Sequence, residues 1–296
     1  MNTQLAPIVI FSYDRLEHLI FTITSLKNNF LAKESDVIVY SDGYKSNNKS
    51  KVIDVRNYLK TVRGFNSFKI VERDSNFGLA KNIIEGVSEV IKNHGRIIVL
   101  EDDLVTSKNF LTFMNKAIKY YEKRDDIFSV SGYTGNLPSL DKINEDTYLS
   151  YRPSSWGWAT WIDQWDAVDW NVSDFNNFIS DRNKIKEFNI GGIDLTRMLR
   201  HFMEGKNNSW AIRWSYAMHK QSKYCIYPSV SKISNIGFGK DATHCKGVNI
   251  YDSLIDKDNK EDFFFSDALN PSDKIAKEFR YQFSYRNKVI NFFKYL

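Results

Sequence analysis

The chain has 296 residues, of which 42% are hydrophobic and 26% are charged, as is usual for a globular protein. Its net charge of +5 suits an anionic ligand or a membrane surface, but it is too small and too dispersed to indicate nucleic-acid binding. There is no secretory leader pattern and no apolar run of about 18 residues, so we expect a cytoplasmic protein that neither spans a membrane nor is secreted, with both cysteines reduced.

Strands and helices alternate through the first half of the chain. Short apolar runs predict strands, and apolar residues at helical spacing predict helices between them. The predicted strands cover 7–11, 36–41, 68–72, 96–100 and 127–131, and the predicted helices cover 17–28, 49–63, the stretch after 76–80 up to 93, and 108–122. This alternation predicts an α/β fold, with a mostly parallel sheet flanked by helices on both faces.

The second half of the chain has a different composition. Residues 135–148 are polar and predict a loop, whereas 151–170 contains five tryptophans. Residues 175–214 are helical in parts, and 224–230 predicts a further strand. Glycines within 233–247 predict a mobile loop, which we place at 236–247.

The last stretch, 274–296, is basic and rich in aromatic residues. Its apolar side chains at helical spacing are Ile275, Phe279, Phe283, Ile290 and Phe293. One interpretation is an amphipathic helix that lies on an anionic membrane surface. The other is a terminal helix that docks on the body of the protein and exposes its basic face to solvent.

Three consecutive acids, Glu101, Asp102 and Asp103, follow the buried strand at 96–100. Burying three like charges together is unfavourable unless a cation joins them. Hard cations such as Mn²⁺ and Mg²⁺ take carboxylate, phosphate and water ligands, and ligands in open α/β sheets bind beyond the carboxyl ends of strands. The triplet therefore predicts a site for a metal ion and a diphosphate; the alternative is a solvated acidic turn.

An ordered series of motifs runs along the chain from Asp14 to His244, within the stretch from about residue 6 to residue 250. It comprises Asp14-Arg15, Asp42, Leu79-Ala80-Lys81-Asn82, Glu101-Asp102-Asp103-Leu104, Ser129-Val130-Ser131-Gly132, Trp156-Gly157-Trp158, Tyr227-Pro228 before Ser231, Gly237-Phe238-Gly239 and His244. In this order and spacing the chain resembles the glycosyltransferases of the GT-A fold. More specifically, it resembles the N-acetylglucosaminyltransferase I group and related bacterial sugar transferases. The resemblance implies that 1–135 is a nucleotide-sugar-binding half and 136–273 the acceptor-side half of one GT-A domain.

The resemblance also implies roles for individual residues. Asp103 would ligate Mn²⁺ or Mg²⁺, and Glu101 and Asp102 would hold the sugar hydroxyls and the ribose. Arg15 would lie near the diphosphate, where a guanidinium suits phosphate geometry. The remaining implied contacts are Asp42 and Asn82 to uracil, Trp156, Gly157 and Trp158 to the donor sugar and the acceptor, and His244 to the metal or a phosphate.

Each of these residues also has a structural interpretation. Arg15 could be a surface residue at a helix start, and Asp42 could shape its Asp-Gly turn. Trp156 and Trp158 could be core residues. His244 could be structural rather than a ligand.

The implied reaction is metal-dependent transfer of a sugar from a UDP-sugar to a hydroxyl of a glycan acceptor, with inversion. The basic tail suggests an acceptor at the inner membrane, such as a lipid-linked oligosaccharide of a capsule or O-antigen. Inverting relatives carry an acid between two tryptophans, but 210–214 contains none. Asp194 and Glu204 are our candidates for the base, ahead of Asp166 and Asp169.

Two rival classes remain open at this point. A nucleotidyltransferase would carry a glycine-rich phosphate loop after the first strand, and residues 11–14 have no glycine. A catalytically inactive sugar-binding homologue would account for the acid that is missing from 210–214.

Overall fold

The computed structural model describes residues 4–238, 251, 253–284 and 287. The strands are β1 (Ile8–Ser12), β2 (Asp36–Ser41), β3 (Ser67–Glu72), β4 (Arg96–Glu101), β5 (Leu104–Thr106), β6 (Ile127–Ser131), β7 (Thr147–Ser150), β8 (Trp158–Trp161), β9 (Tyr224–Pro228) and β10 (Ile233–Asn235). The helices are α1 (Leu16–Lys27), α2 (Lys49–Thr61), α3 (Leu79–His94), α4 (Phe110–Tyr121), α5 (Ile162–Asp166), α6 (Phe175–Ile179), α7 (Arg182–Phe188), α8 (Leu195–Met203), α9 (Trp210–Lys220) and α10 (Asp273–Gln282).

Most of the strands form one eight-stranded sheet in the order β3-β2-β1-β4-β8-β6-β9-β7. β1 pairs in parallel with β2 and β4, and β6 pairs in parallel with β9. β8 is antiparallel to both β4 and β6, and β7 is antiparallel to β9. The predicted α/β class is therefore confirmed, with β8 as an antiparallel strand inside the sheet and β7 in the stretch that we predicted to be a loop.

Helices bury the apolar strands on both faces of the sheet, as the continuous apolar runs predict. All five residues of β1 are buried, and α3 packs against this strand with one face. At Gly86 of α3, a β-carbon would lie 2.8 Å from the ring of Phe11, so the helix approaches the strand too closely for a side chain at this position.

The strand order creates a crevice at the carboxyl end of β1. The chain passes from β1 to β2 and β3 on one side, and it later places β4 on the other side of β1. Ligands of open α/β sheets bind where the strand order reverses in this way, because the loops that follow the two neighbouring strands diverge there. The loop after β1 contains Arg15, and the turn after β4 contains the acid triplet.

The helix α10 docks on the body of the protein. Ser272 caps its N-terminus by accepting a hydrogen bond from the amide of Ile275, and the side chains of Ile275 and Phe279 are 5% and 4% exposed. Its apolar face is thus turned toward the protein, as in the second of the two interpretations of the tail. Ile290 and Phe293 lie outside the described residues. Among the helices of the described ranges, none has the length and apolar character needed to cross a bilayer.

Candidate active site

The acid triplet meets Arg15 at the crevice between β1 and β4. The Nη2 atom of Arg15 donates hydrogen bonds to Asp102 Oδ1 at 2.5 Å and to Asp103 Oδ2 at 2.8 Å. The backbone amide of Tyr13 donates to the other oxygen of Asp102, and the hydroxyl of Thr22 donates to the Asp102 carbonyl. Residues that follow two neighbouring strands are therefore held together as one polar cluster, which excludes the solvated-turn interpretation of the triplet.

The charges of this cluster do not balance. Burial raises the pKa of Glu101 well above its ordinary value, and the neighbouring Asp103 and Asp102 raise it further. Burial also raises the pKa of Asp102, although Arg15 opposes the shift. Burial alone would lower the pKa of Arg15, but the carboxylates of Asp102 and Asp103 raise it above its ordinary value. One guanidinium contacts two of the three carboxyl groups, so the crevice would keep an excess of negative charge if all three were ionised.

A divalent cation fits this excess, with Asp103 as the residue that would hold it. Within the ranges that the structure describes, no group of three or more His, Cys, Asp or Glu side chains is arranged to hold a metal ion. A metal bound here would therefore need ligands from elsewhere, and Mg²⁺ and Mn²⁺ commonly take phosphate oxygens and water beside one or two carboxylates. Asp103 could supply one such carboxylate, and Arg15 lies 2.8 Å from it as a group for phosphate oxygens.

The segment after β10 lies directly over Asp103. The amide of Ile236 donates a hydrogen bond to the Asp103 carbonyl at 2.9 Å. A β-carbon added at Gly237 would lie 2.0 Å from Asp103 Oδ2, so a side chain at this position would displace the Asp103 carboxylate. The next residue, Phe238, meets the ring of Trp156 edge-on with centroids 5.8 Å apart. The predicted loop thus begins against Asp103, while its residues 239–247, including His244, lie outside the described residues.

The three residues of the Trp-Gly-Trp motif occupy different environments. Gly157 has a φ of +59°, and a β-carbon there would lie 2.7 Å from Ile233, so the motif requires glycine. Trp158 is 1% exposed and stacks on Trp165 in the core. Its ring has no face available for a donor, which agrees with the core interpretation of this residue.

Trp156, in contrast, lines a cavity of about 300 Å³. Aromatic rings form much of its wall, and Arg152 and Asp194 contribute charged groups. Arg152 Nη1 donates to Asp194 Oδ1 at 2.8 Å, and Arg152 Nη2 donates to Asp194 Oδ2 at 3.4 Å. Trp156 also contacts Phe238, the residue after Gly237, so the cavity wall touches the segment that covers Asp103.

The predicted uracil contacts, Asp42 and Asn82, are engaged within the protein. Asp42 accepts hydrogen bonds from the amides of Gly43, Phe77 and Gly78 and from the side chain of Asn76. These four bonds occupy the usual acceptor capacity of a carboxylate and join the loop after β2 to the start of α3.

Asn82 is buried and accepts a hydrogen bond from Arg73 Nε at 3.1 Å. The Arg73 guanidinium stacks between the rings of Tyr40 and Phe77, and its Nη2 is buried without a hydrogen-bond partner among the described residues. The sequence analysis did not identify Arg73 as a residue of this region. Its position directly after β3, at the same edge of the sheet as Asp42, could have indicated it.

The two candidates for the base, Asp194 and Glu204, lie in different environments. Asp194 is 5% exposed and lines the cavity, immediately before α8. Glu204 follows the other end of α8, is exposed, and pairs with Lys206 at 2.7 Å. Of the weaker choices, Asp169 accepts bonds from the amide and hydroxyl of Ser173, and Asp166 ends α5 outside the cavity lining.

The fold and the crevice define a class, the glycosyltransferases of the GT-A fold. The structure aligns with "Crystal structure of GalNAc-T7 with UDP, GalNAc and Mn2+" at a TM-score of 0.50 and 12% identity, over 79% of this chain and 44% of that chain. At this identity the alignment shows the fold alone, and this chain spans less than half of that relative's length.

Two further structures align less well. A Pyrobaculum calidifontis mannosyltransferase, solved with GDP-Man and Mn²⁺, gives a TM-score of 0.44 at 11% identity, over 75% of this chain and 70% of that one. The S. aureus TarS fragment 1–349 gives 0.42 at 11% identity, over 77% and 59%. Among curated proteins, none matches. The profile of glycosyl transferase family 2 matches residues 8–178, more than half of the chain, and the chain belongs to this family.

Proposed function

We propose that this protein transfers a sugar from a UDP-sugar to a hydroxyl of a glycan acceptor, with Mn²⁺ or Mg²⁺ bound together with the donor. The observation that carries the proposal is the cluster of Arg15 with Glu101, Asp102 and Asp103 at the point where the strand order reverses. A guanidinium and an acid in direct contact offer one group for phosphate oxygens and one for a metal ion.

The proposed chemistry divides between the crevice and the cavity. When bound at Asp103, a divalent cation supplies positive charge to the diphosphate that leaves the sugar. Arg15 donates hydrogen bonds to the same diphosphate, and Glu101 and Asp102 accept hydrogen bonds from hydroxyl groups of the donor. Ile236 and Gly237, which cover Asp103, shield this end of the donor from water.

For the base, we propose Asp194 over Glu204. Asp194 is buried at the cavity next to Trp156, where a hydroxyl of the acceptor would lie within reach of its carboxylate. Attack from the face opposite the diphosphate gives inversion. Glu204 does not reach the cavity, because it lies on the surface beyond the other end of α8. We therefore expect Asp194→Asn to lower transfer by about 10²-fold or more, and Glu204→Gln to change it less than twofold.

The experiment is a donor screen that measures release of UDP in the presence of Mn²⁺. Wild-type protein is compared with Asp103→Asn and with Asp54→Asn, the same change on the exposed side of α2. We expect activity with at least one UDP-sugar, loss of activity in Asp103→Asn and in EDTA, and no change in Asp54→Asn. Failure of every UDP-sugar, or full activity of Asp103→Asn, would contradict the proposal.

For the acceptor, we propose a glycan of bacterial surface polysaccharide synthesis, lipid-linked and reached at the inner face of the membrane. Since Ile275 and Phe279 are buried against the protein, membrane contact would rest on basic side chains and on the tail beyond residue 287. Flotation with anionic liposomes tests this contact directly. Binding that is equal with and without residues 288–296, and unaffected by salt, would contradict it.

A further inference from the structure

The cavity behind Trp156 is built mostly from residues beyond the matched family segment, 8–178. Asp194, just before α8, and Met198 of α8 line it, and the C-terminal segment contributes Phe279 and Phe283. Its volume of about 300 Å³ is at the lower end of the range for ligand pockets, so it has room for one ring rather than for a long chain. We infer that this cavity binds one pyranose ring of the acceptor, and that Phe283 completes it by holding Arg152; this inference rests on the proposed function.

The first argument is the chemistry of the wall. Flat aromatic rings offer apolar faces to the C–H surface of a sugar, while a carboxylate and a guanidinium accept from and donate to its hydroxyl groups. Trp156 is partly exposed to the cavity, and Arg152 and Asp194 present both kinds of polar group side by side. Arg152 and Asp194 together carry no net charge, so the pair suits a neutral polyhydroxylated ring, whose hydroxyl groups can donate to the carboxylate and accept from the guanidinium.

The second argument is the way in which Arg152 is fixed. The centre of its guanidinium lies 3.9 Å from the centroid of the Phe283 ring, and its nitrogens reach both oxygens of Asp194. A β-carbon at Gly192 would lie 2.5 Å from Arg152 Nη1 and 2.7 Å from Asp194 Oδ1, so the backbone closes the remaining side. Arg152 thus contacts a ring, a carboxylate and the main chain, which together restrict its orientation.

The third argument is that Phe283 belongs to a set of stacked rings and is not an isolated contact. Its ring stacks on the ring of Tyr251, with centroids 5.4 Å apart, and packs at a tilt against the ring of Phe279, with centroids 5.3 Å apart. The ring of Phe279 in turn meets that of Tyr227 edge-on. The side chain of Glu278 accepts hydrogen bonds from the amide and hydroxyl of Ser139, which ties α10 to the body. These contacts place the C-terminal segment as one wall of the cavity, and Phe283 as a positioning residue.

The test measures binding of methyl glycosides of glucose, galactose, N-acetylglucosamine and N-acetylgalactosamine by saturation-transfer NMR, with Mn²⁺ replaced by diamagnetic Mg²⁺ and UDP present. We expect wild-type protein to bind at least one glycoside at millimolar concentration. Phe283→Leu, which keeps apolar bulk but removes the flat ring, should weaken that binding about tenfold, and Phe283→Tyr should restore it. Tyr281→Ala, at an exposed position near the end of α10 and two residues before Phe283, is the matched control and should bind as wild type does.

Two results would overturn the inference: no glycoside of the panel binds wild-type protein, or Phe283→Leu binds as tightly as wild type. Thermal stabilisation by UDP and Mg²⁺ is measured on every variant and shows whether the donor site is intact. Stabilisation without glycoside binding refutes the pyranose site and leaves the proposed function standing. Glycoside binding without stabilisation by UDP refutes the proposed function instead.

Discussion

Arg15 and Asp103 are joined by a hydrogen bond of 2.8 Å although they follow different strands and lie far apart in sequence. The bond exists because β1 and β4 are neighbours in the sheet, so the loops that leave their carboxyl ends meet. The same guanidinium also binds Asp102. Arg15 is thus the protein's own cation in a crevice that contains three acids, and its removal should have a cost in stability as well as in donor binding.

We therefore expect Arg15→Met to lower the free energy of unfolding at pH 7 by about 1–3 kcal/mol. Breaking a fully buried pair costs about 3–5 kcal/mol, and we reduce this figure because the Arg15 side chain is 22% exposed. Urea unfolding measures the difference. Arg63→Met, at an exposed arginine whose hydrogen bonds go to backbone carbonyls, is the control and should have little effect. An Arg15 variant as stable as this control would show that the cluster does not need its cation.

The glycine of the Trp-Gly-Trp motif gives a second prediction. Gly157→Ala should destabilise the protein by about 1–2 kcal/mol for the positive φ, and by a further 1–3 kcal/mol, roughly, for the collision with Ile233. Gly205→Ala has a similar φ of +69° with nothing within 4 Å of the added carbon, so it measures the backbone term alone. Thermal unfolding of both variants gives the difference. Equal losses would mean that Ile233 moves aside without cost.

A buried ion pair, Lys232 with Asp256, anchors the segment that follows β10 in the sequence. Asn109 donates a further hydrogen bond to Asp256. Lys232→Met should cost about 3–5 kcal/mol because it leaves a carboxylate buried without its cation. Lys206→Met, at the exposed pair with Glu204, should cost less than about 1 kcal/mol. Urea unfolding compares them, and similar losses for the two variants would contradict this account.

The same pair predicts a pH dependence. Burial alone would raise the pKa of Asp256, but hydrogen bonds from Lys232 and Asn109 bring it below its ordinary value. The folded state therefore favours the charged carboxylate, so its contribution to stability is complete above about pH 4 and is lost as the pH falls further. The stability difference between wild type and Asp256→Asn should narrow below pH ~4 in urea titrations. If the stability difference widened below this pH instead, the pKa of Asp256 would be raised rather than lowered by folding, which would contradict this account.

The sequence predicted the sheet well where strands are long and apolar. The apolar runs that form β1, β2, β4 and β6 are buried in the structure. Because an apolar run predicts a buried strand, the local sequence and the position of each strand in the sheet agree. We did not predict β8 or β5. β8 has four residues, two of them tryptophan, and β5 has three residues directly after the acid triplet, so neither shows a clear alternation of apolar and polar residues. Antiparallel insertion of β8 beside β4 depends on long-range pairing, which no local pattern records.

The site was predictable in its first part only. Glu101, Asp102 and Asp103 stand together in the sequence, and a resemblance was enough to pair them with Arg15. The contact between Arg152 and Phe283 joins residues more than a hundred positions apart, with no motif around either. The hydrogen bonds that fill the acceptor positions of Asp42 come from backbone amides, and backbone geometry cannot be read from residue types.

We propose that the crevice binds a metal ion together with a diphosphate, because Arg15 offers a group for phosphate oxygens directly beside the Asp103 carboxylate. The most direct measurement is a titration of Mn²⁺ followed by electron paramagnetic resonance, with and without UDP. We predict that the protein alone binds Mn²⁺ weakly. With UDP present, the protein should bind Mn²⁺ at least about tenfold more tightly than UDP alone binds it in buffer. This increase in affinity should be lost in Asp103→Asn. Tight binding without UDP, or the same gain in Asp103→Asn as in wild type, would contradict the claim.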